Sequence, residues 1–463
     1  MEKQRIESDG LGTRSLPADA LFGIHSLRGS ENFRYSGETL AHYPRLVAWL
    51  ARIKMVIAQV NSQNGKLTSQ QGDAITSACL ELAGGAHADA LIVDPLEGAC
   101  GTSINMNINE VVANRALQLM GRRPGQYGFL DPLDHVAYGQ STSDILLTAT
   151  KLALREDIKE LADTVQKLAH TWREKEQQYA HVLRVARTCM QDCMPMRLGQ
   201  AFGGYASLAD RMATSLRLHL DAMATVPLGG TGVGTGLGTY PGYRKAVIAK
   251  LSEVAGAELV PSADLFDAIQ NMDEFAALSS TIRIAALSLG KVANDIVLLS
   301  SGPRAGLNEL RLAPRQAGSS MMPGKVNPVQ AMGLTQIAYF VAGMDQSVML
   351  GASNGQLETN NYMPLIAVSL FKGIHAFNAA VSSFDEHCVR TLVADEAICE
   401  AHLTESSAIA PALKQELGYK RAAELVESAR SSGRSAIDVA IAEGVMSREQ
   451  LINRLRESSV APD

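Results

Sequence analysis

The chain has 463 residues, 46% of them apolar and 19% charged, with a formal net charge of -6. That composition describes a folded globular protein long enough to bury more than one core. Its acidic balance gives no electrostatic footprint for nucleic acid or an anionic membrane, so the expected partner is a small molecule, with no nucleic acid and no membrane.

The segment Met1-Glu2-Lys3-Gln4-Arg5-Ile6-Glu7 is charged and lacks the apolar centre of a secretory signal. No apolar run approaches the roughly 20 residues that cross a bilayer. The six cysteines are scattered without a paired C-x-x-C, and the ten histidines form no H-E-x-x-H. Free thiols in a reducing, cytoplasmic compartment are expected, with no metal site.

Residues 1–138 read as an N-terminal helical domain of short helices and loops. Within it Leu46, Trp49, Leu50, Ile53, Val56 and Val60 recur at helical spacing. The stretch Gly101-Thr102-Ser103-Ile104-Asn105-Met106-Asn107-Ile108-Asn109-Glu110 is polar at nearly every second position. A short strand would fit, but Val111–Leu119 continues at helical spacing, which favours a helix with Thr102 or Ser103 as its N-cap. Gln140-Ser141-Thr142-Ser143-Asp144 is a second hydroxyl-rich turn feeding a helix. Helix starts of this kind carry free amides and hydroxyls, and they attract carboxylates.

Long helices are expected over 145–176, 198–225, 264–300, 333–350 and 363–388, forming a central bundle within 139–392. Between two of them, Leu228–Gly238 repeats G-x-G. No strand or βαβ unit is expected around it and no Gly-Lys-Ser/Thr follows, so a crossing loop near a ligand is favoured over a nucleotide site. Cys189 and Cys193, four apart, would share one face of a helix and serve packing. Residues 393–463 read as a small C-terminal helical domain with a turn at Leu417–Lys420.

Gly318-Ser319-Ser320-Met321-Met322-Pro323-Gly324-Lys325-Val326-Asn327-Pro328 has the composition of a mobile polar loop. Its two glycines supply backbone freedom, and Pro323 and Pro328 bar helix continuation. Two hydroxyls, an ammonium and a carboxamide fall within nine residues. Together with Thr102, Ser141 and Thr188 they point to a polyanionic small substrate.

The loop resembles the signature of the aspartase/fumarase superfamily, and the resemblance extends over most of the chain. Gly101–Glu110, Gln140-Ser141-Thr142, Arg187-Thr188-x-x-Gln191-Asp192 and Ser300–Glu309 match in order. The opening Gly12–Phe33 is nearer to the aspartate ammonia-lyase branch than to the fumarases. The resemblance implies an all-α, three-domain fold with a central bundle of long helices, assembled as a homotetramer with shared active sites. It implies anti-elimination from a succinyl-type substrate without a cofactor, in the simplest case ammonia from aspartate.

By the same match Ser319 is the catalytic base. Thr102, Ser141, Thr142 and Ser320 hold the carboxylate that becomes doubly charged, while Thr188, Lys325 and Asn327 hold the other. The departures sit where relatives handle the leaving group: Ala137 and Ser143 replace two asparagines, Cys189 replaces His or Gln, and Met332 replaces a glutamate. They keep open a bulkier or less hydrated leaving group. A fumarate hydratase is disfavoured by the same losses, and a non-catalytic relative by intact Ser319, Lys325 and Asn327.

Overall fold

The computed structural model describes residues 3–459. The chain opens with strands β1 (Gln4–Asp9) and β2 (Gly12–Pro17), then helices α1 (Ile24–Asn32), α2 (Pro44–Gln63), α3 (Ser69–Ala83), α4 (Thr102–Leu119) and α5 (Thr142–Gln178). Next come β3 (Leu183–Thr188), β4 (Gln191–Arg197), α6 (Leu198–Arg217), β5 (Thr225–Val226), α7 (Tyr243–Ala255), β6 (Val260–Pro261) and α8 (Leu265–Gln270). The remainder is α9 (Asp273–Leu299), β7 (Leu310–Arg311), α10 (Val329–Ser353), α11 (Met363–Phe384), β8 (Val393–Ala394), α12 (Glu396–Glu405), α13 (Ala410–Ser432), α14 (Ala436–Ala442) and α15 (Arg448–Ser458). Long helices dominate this all-α fold; the strands form only two-stranded pairings among the described residues.

Two compact units divide the chain. The first comprises 1–161, 215–284 and 340–376, and the second 162–214, 285–339 and 377–463. In the first, α2 buries Leu46, Trp49, Leu50, Ile53, Val56 and Val60, the stripe that its helical spacing predicts, against α3, α4 and α7. Pro44 occupies the first turn of α2, where its missing N–H is harmless. A capping box starts α3: the Gln71 amide donates to Thr68 Oγ1 at 3.2 Å, and the Thr68 amide donates to Gln71 Oε1 at 3.0 Å. In the second unit, Trp172, Phe202, Tyr205 and Phe384 form an aromatic cluster. Leu403, Ile409, Leu425, Ile437, Leu451 and Leu455 bury a smaller core beside Val185 of β3.

Several elements differ from their sequence expectations. The opening residues pair as an antiparallel hairpin instead of short helices and loops. Its strands are mostly exposed, so no apolar alternation marks them. The helix expected over 198–225 stops at Arg217 and gives way to turns, and Val226, the residue before Pro227, is extended in β5. The helix expected over 264–300 is broken at Asn271, whose backbone is extended. Helix α13 bends at Gly418, with φ 75°, within the expected turn.

The expectation that no apolar run is long enough for a bilayer also needs correction. Met363–Val389 is long and apolar enough by length and composition, and 56% of its most apolar window is buried inside the protein, as in the core helix of a globular domain.

Candidate active site

Two stations carry the predicted chemistry, one in each unit. In the first, α4 and α5 begin close together. Gly101, not Thr102 or Ser103, is the N-cap of α4: its φ of 85° is left-handed, and a side chain there would collide with Leu146. Thr102 is therefore the first helical residue, exposed at the helix start. Thr142 opens α5, and its Oγ1 accepts a hydrogen bond from Asn105 Nδ2 at 3.1 Å. Ser141 precedes it and Ser143 follows, both half-buried. Among the described residues, the hydroxyls of Thr102, Ser141 and Ser143 make no hydrogen bond to a protein group, so all three remain available to a ligand.

Beneath these hydroxyls lies a buried polar network that sequence reasoning did not assign. Lys54 is completely buried and donates to Asn105 Oδ1 at 2.8 Å and to Gln140 Oε1 at 3.0 Å. Burial lowers its pKa to about 7. Asp144, also fully buried, accepts the Ser141 amide at 3.0 Å, and burial raises it to about 6 against these hydrogen bonds. A lysine amid the apolar α2 stripe was the available signal, since a charge there needs partners.

The glycine-rich loop explains the other oxygen of Asp144. The amides of Gly229 and Thr231 each donate to Asp144 Oδ2 at 3.0 Å. The loop does cradle an anion, but that anion belongs to the chain. Contrary to expectation, a strand does precede it. β5 pairs in parallel with β6, and α7 lies between them in sequence, a minimal βαβ arrangement whose two-residue strands leave no readable period. The loop runs beside the first station: a Cβ on Gly232 would lie 3.9 Å from Ser141 Oγ.

Elsewhere in this unit Glu110, within the Gly101–Glu110 motif, receives the amides of Gly23, His25 and Ser26 at 2.8, 2.9 and 3.0 Å. It fastens the start of α1 to α4 and so has a structural part.

The second station is the loop 318–328. Asn327 Nδ2 donates to the Gly318 carbonyl at 2.8 Å and closes the neck of the loop. A side chain on Gly318 would collide with the Lys325 carbonyl, and Gly324 turns the chain with φ 80°. Just beyond the neck, Ser319 Oγ accepts the amides of Met321 at 3.1 Å and Met322 at 3.2 Å. Two N–H donors aimed at one hydroxyl oxygen stabilise its anion, the form a base requires. Ser320, Met321 and Lys325 are exposed, and Asn327 keeps one amide proton beyond the neck bond.

Thr188 and Cys189 also lie in this unit, but not on a helix. Thr188 ends β3, while Cys189 and Met190, with φ of 51° and 62°, form the two-residue turn into β4. Both residues of such a turn need positive φ. Cys189 is exposed and Cys193 half-buried in β4, so the pair does not share a helical face. Met332 lies on the first turn of α10 and is 47% exposed.

Arg187, singled out only within its motif, is held by fully buried Glu309: Arg187 Nη1 lies 2.6 Å and Arg184 Nη2 3.0 Å from its carboxylate. His402 Nδ1 adds a contact at 3.1 Å. Glu309 thus anchors β3, whose end carries Thr188.

The family model described as lyase matches residues 12–343, and the chain belongs to this aspartase/fumarase family of lyases. Among its curated relatives, the aspartate ammonia-lyase of Pseudomonas aeruginosa is 40% identical over 460 residues, covering 99% of this chain and 97% of the relative. The aspartate ammonia-lyase of Bacillus subtilis is 36% identical, covering 97% and 94%. In solved structures, the fumarate lyase:delta crystallin from Brucella melitensis bound to cobalt superposes with a TM-score of 0.95 at 37% identity, covering 99% of this chain and all of that one. The class II fumarase of Schistosoma mansoni gives 0.90 at 30% identity, with 98% coverage of both. The family and the fold class read from the sequence are both borne out.

Proposed function

We propose that the chain is an aspartate ammonia-lyase, converting L-aspartate to fumarate and ammonia in the cytoplasm. Among the site's features, the paired amides at Ser319 Oγ carry the reading most directly. A serine hydroxyl is far too weakly acidic to act as a base unless its alkoxide is held by such donors. In this reading Ser319 takes a proton from Cβ of aspartate. The electron pair moves into the adjacent carboxylate, giving a doubly charged aci-carboxylate, and collapse of that species expels ammonia from Cα on the opposite face.

Thr102, Ser141, Thr142 and Ser320 donate to the carboxylate that gains charge, and Thr188, Lys325 and Asn327 hold the other. Asn327 does so with the amide proton not used at the loop neck. The stations are read as coming together when copies of the chain associate into a homotetramer, each copy lending residues to shared sites. The relatives' names and near-complete coverage support the substrate.

A second reading, expulsion of a bulkier or less hydrated amine, draws on Cys189 and Met332, whose exposed sulfur-bearing side chains suit a weakly hydrated group. Ultraviolet absorbance of the new conjugated double bond, followed with L-aspartate, L-malate and N-alkylated aspartates, separates the two. Turnover of L-aspartate well above the others is expected. Preference for an N-alkylated substrate favours the second reading, and no turnover of any of them overturns both.

A further inference from the structure

We infer that Lys54, through Asn105, fixes which way the Thr142 hydroxyl points and thereby makes Thr142 a donor to the substrate carboxylate. The inference rests on the proposed role of Thr142 and extends it to a residue that touches no substrate.

The argument follows donor and acceptor chemistry along one chain of contacts. A lysine amine, charged or neutral, offers N–H donors, and Lys54 gives one to Asn105 Oδ1 at 2.8 Å and one to Gln140 Oε1 at 3.0 Å. Both amides are thereby oriented. Gln140 turns its Nε2 to the Val136 carbonyl at 2.7 Å, and Asn105 turns its Nδ2 to Thr142 Oγ1 at 3.1 Å. Because Thr142 Oγ1 already accepts a proton from Asn105, its own O–H is free to be donated outward, and an anion is what such a hydroxyl binds. Lys54 is completely buried and Asn105 is 5% exposed, so water does not compete for these contacts. The relay also settles an amide orientation that shape alone leaves open, since Asn oxygen and nitrogen are nearly isosteric.

Without Lys54 the Asn105 amide is free to turn over. Its oxygen would then face Thr142, the threonine would donate inward, and a lone pair would meet the carboxylate. Asn105→Asp is the isosteric route to the same reversal, because a carboxylate has no donor for Thr142. Lys54 is thus a positioning residue, and its effect should appear in substrate affinity before chemistry.

The test measures succinate binding by calorimetry, and KM and kcat for L-aspartate, in Lys54→Met, Asn105→Asp and Thr142→Val and in each of the first two combined with Thr142→Val. Circular dichroism establishes that each is folded. Both single relay variants are expected to weaken succinate binding and raise KM by about tenfold or more, with a smaller change in kcat. In the Thr142→Val background they are expected to add almost nothing, which a merely structural role would not produce. Unchanged succinate affinity in a folded relay variant, or an undiminished effect without the Thr142 hydroxyl, overturns the inference. Should Lys54→Met not fold, Asn105→Asp alone decides. A wild-type protein that neither binds succinate nor turns over aspartate overturns the proposed function, and the relay's substrate role with it.

Discussion

The two stations are built on opposite plans. At the starts of α4 and α5, the hydroxyls proposed to meet the substrate stand on a buried floor of Lys54, Asn105 and Asp144, each fixed by partners from other segments. In the loop 318–328 the bonds that shape the structure are local: Asn327 closes the neck on Gly318 and Ser319 bonds the amides two and three residues on, while Ser320, Met321 and Lys325 remain exposed. In the proposed mechanism the contrast gives a rigid setting to Thr102, Ser141 and Thr142, whose donors meet developing charge, and local adaptability to Ser319, Ser320, Lys325 and Asn327, whose segment would close over a substrate.

That contrast can be broken most forcefully at Ser319. Ser319→Ala is expected to lower kcat for L-aspartate by about a thousandfold, within the range typical of removing a general base. A folded variant with near-normal turnover would remove Ser319 from the chemistry. Gly318→Ala comes next, because the added methyl collides with the Lys325 carbonyl and spreads the neck. Misplacing the base by about 1 Å should cost about a hundredfold in kcat, with little change in melting temperature because the loop supports no core. A large loss of stability there would show that the loop is part of the scaffold.

Smaller effects sharpen the comparison. Cys189→Gln combined with Met332→Glu introduces the polar groups that the family resemblance implies at these positions, and it should shift preference from N-alkylated aspartates toward aspartate by about tenfold. An unchanged ratio would remove both positions from leaving-group recognition. The last prediction concerns the stability of the buried floor, not turnover. With the Lys54 pKa lowered from 10.5 to about 7, the unfolded chain holds more protons than the folded one between those values, so this group's contribution to stability rises with pH across that window. Thermal melts of wild type and Lys54→Met at pH 7 and about 10 should show the difference moving in favour of wild type. A flat difference would mean that Lys54 stays charged when buried.

The loop station was legible in the sequence because its chemistry is contiguous. Glycines, prolines, serines, Lys325 and Asn327 all fall within eleven residues. The floor of the other station was not, because Lys54, Asn105, Gln140 and Asp144 meet only after α2, α4, α5 and the glycine-rich loop have packed. Long helices were readable from apolar spacing, whereas β5 and β6, at two residues each, have no period to read. Cys189 shows a subtler limit. Its spacing from Cys193 fits a helix, and only the hairpin between β3 and β4 explains why residues 189 and 190 adopt positive φ.

The division of labour between the stations is tested most directly by titrating succinate, which carries both carboxylates but no leaving group, into Ser319→Ala and Thr142→Val. Succinate affinity within about twofold of wild type is predicted for Ser319→Ala, and a loss of about tenfold for Thr142→Val. The reverse pattern, with affinity lost at the loop and kept at the helix starts, would contradict the account.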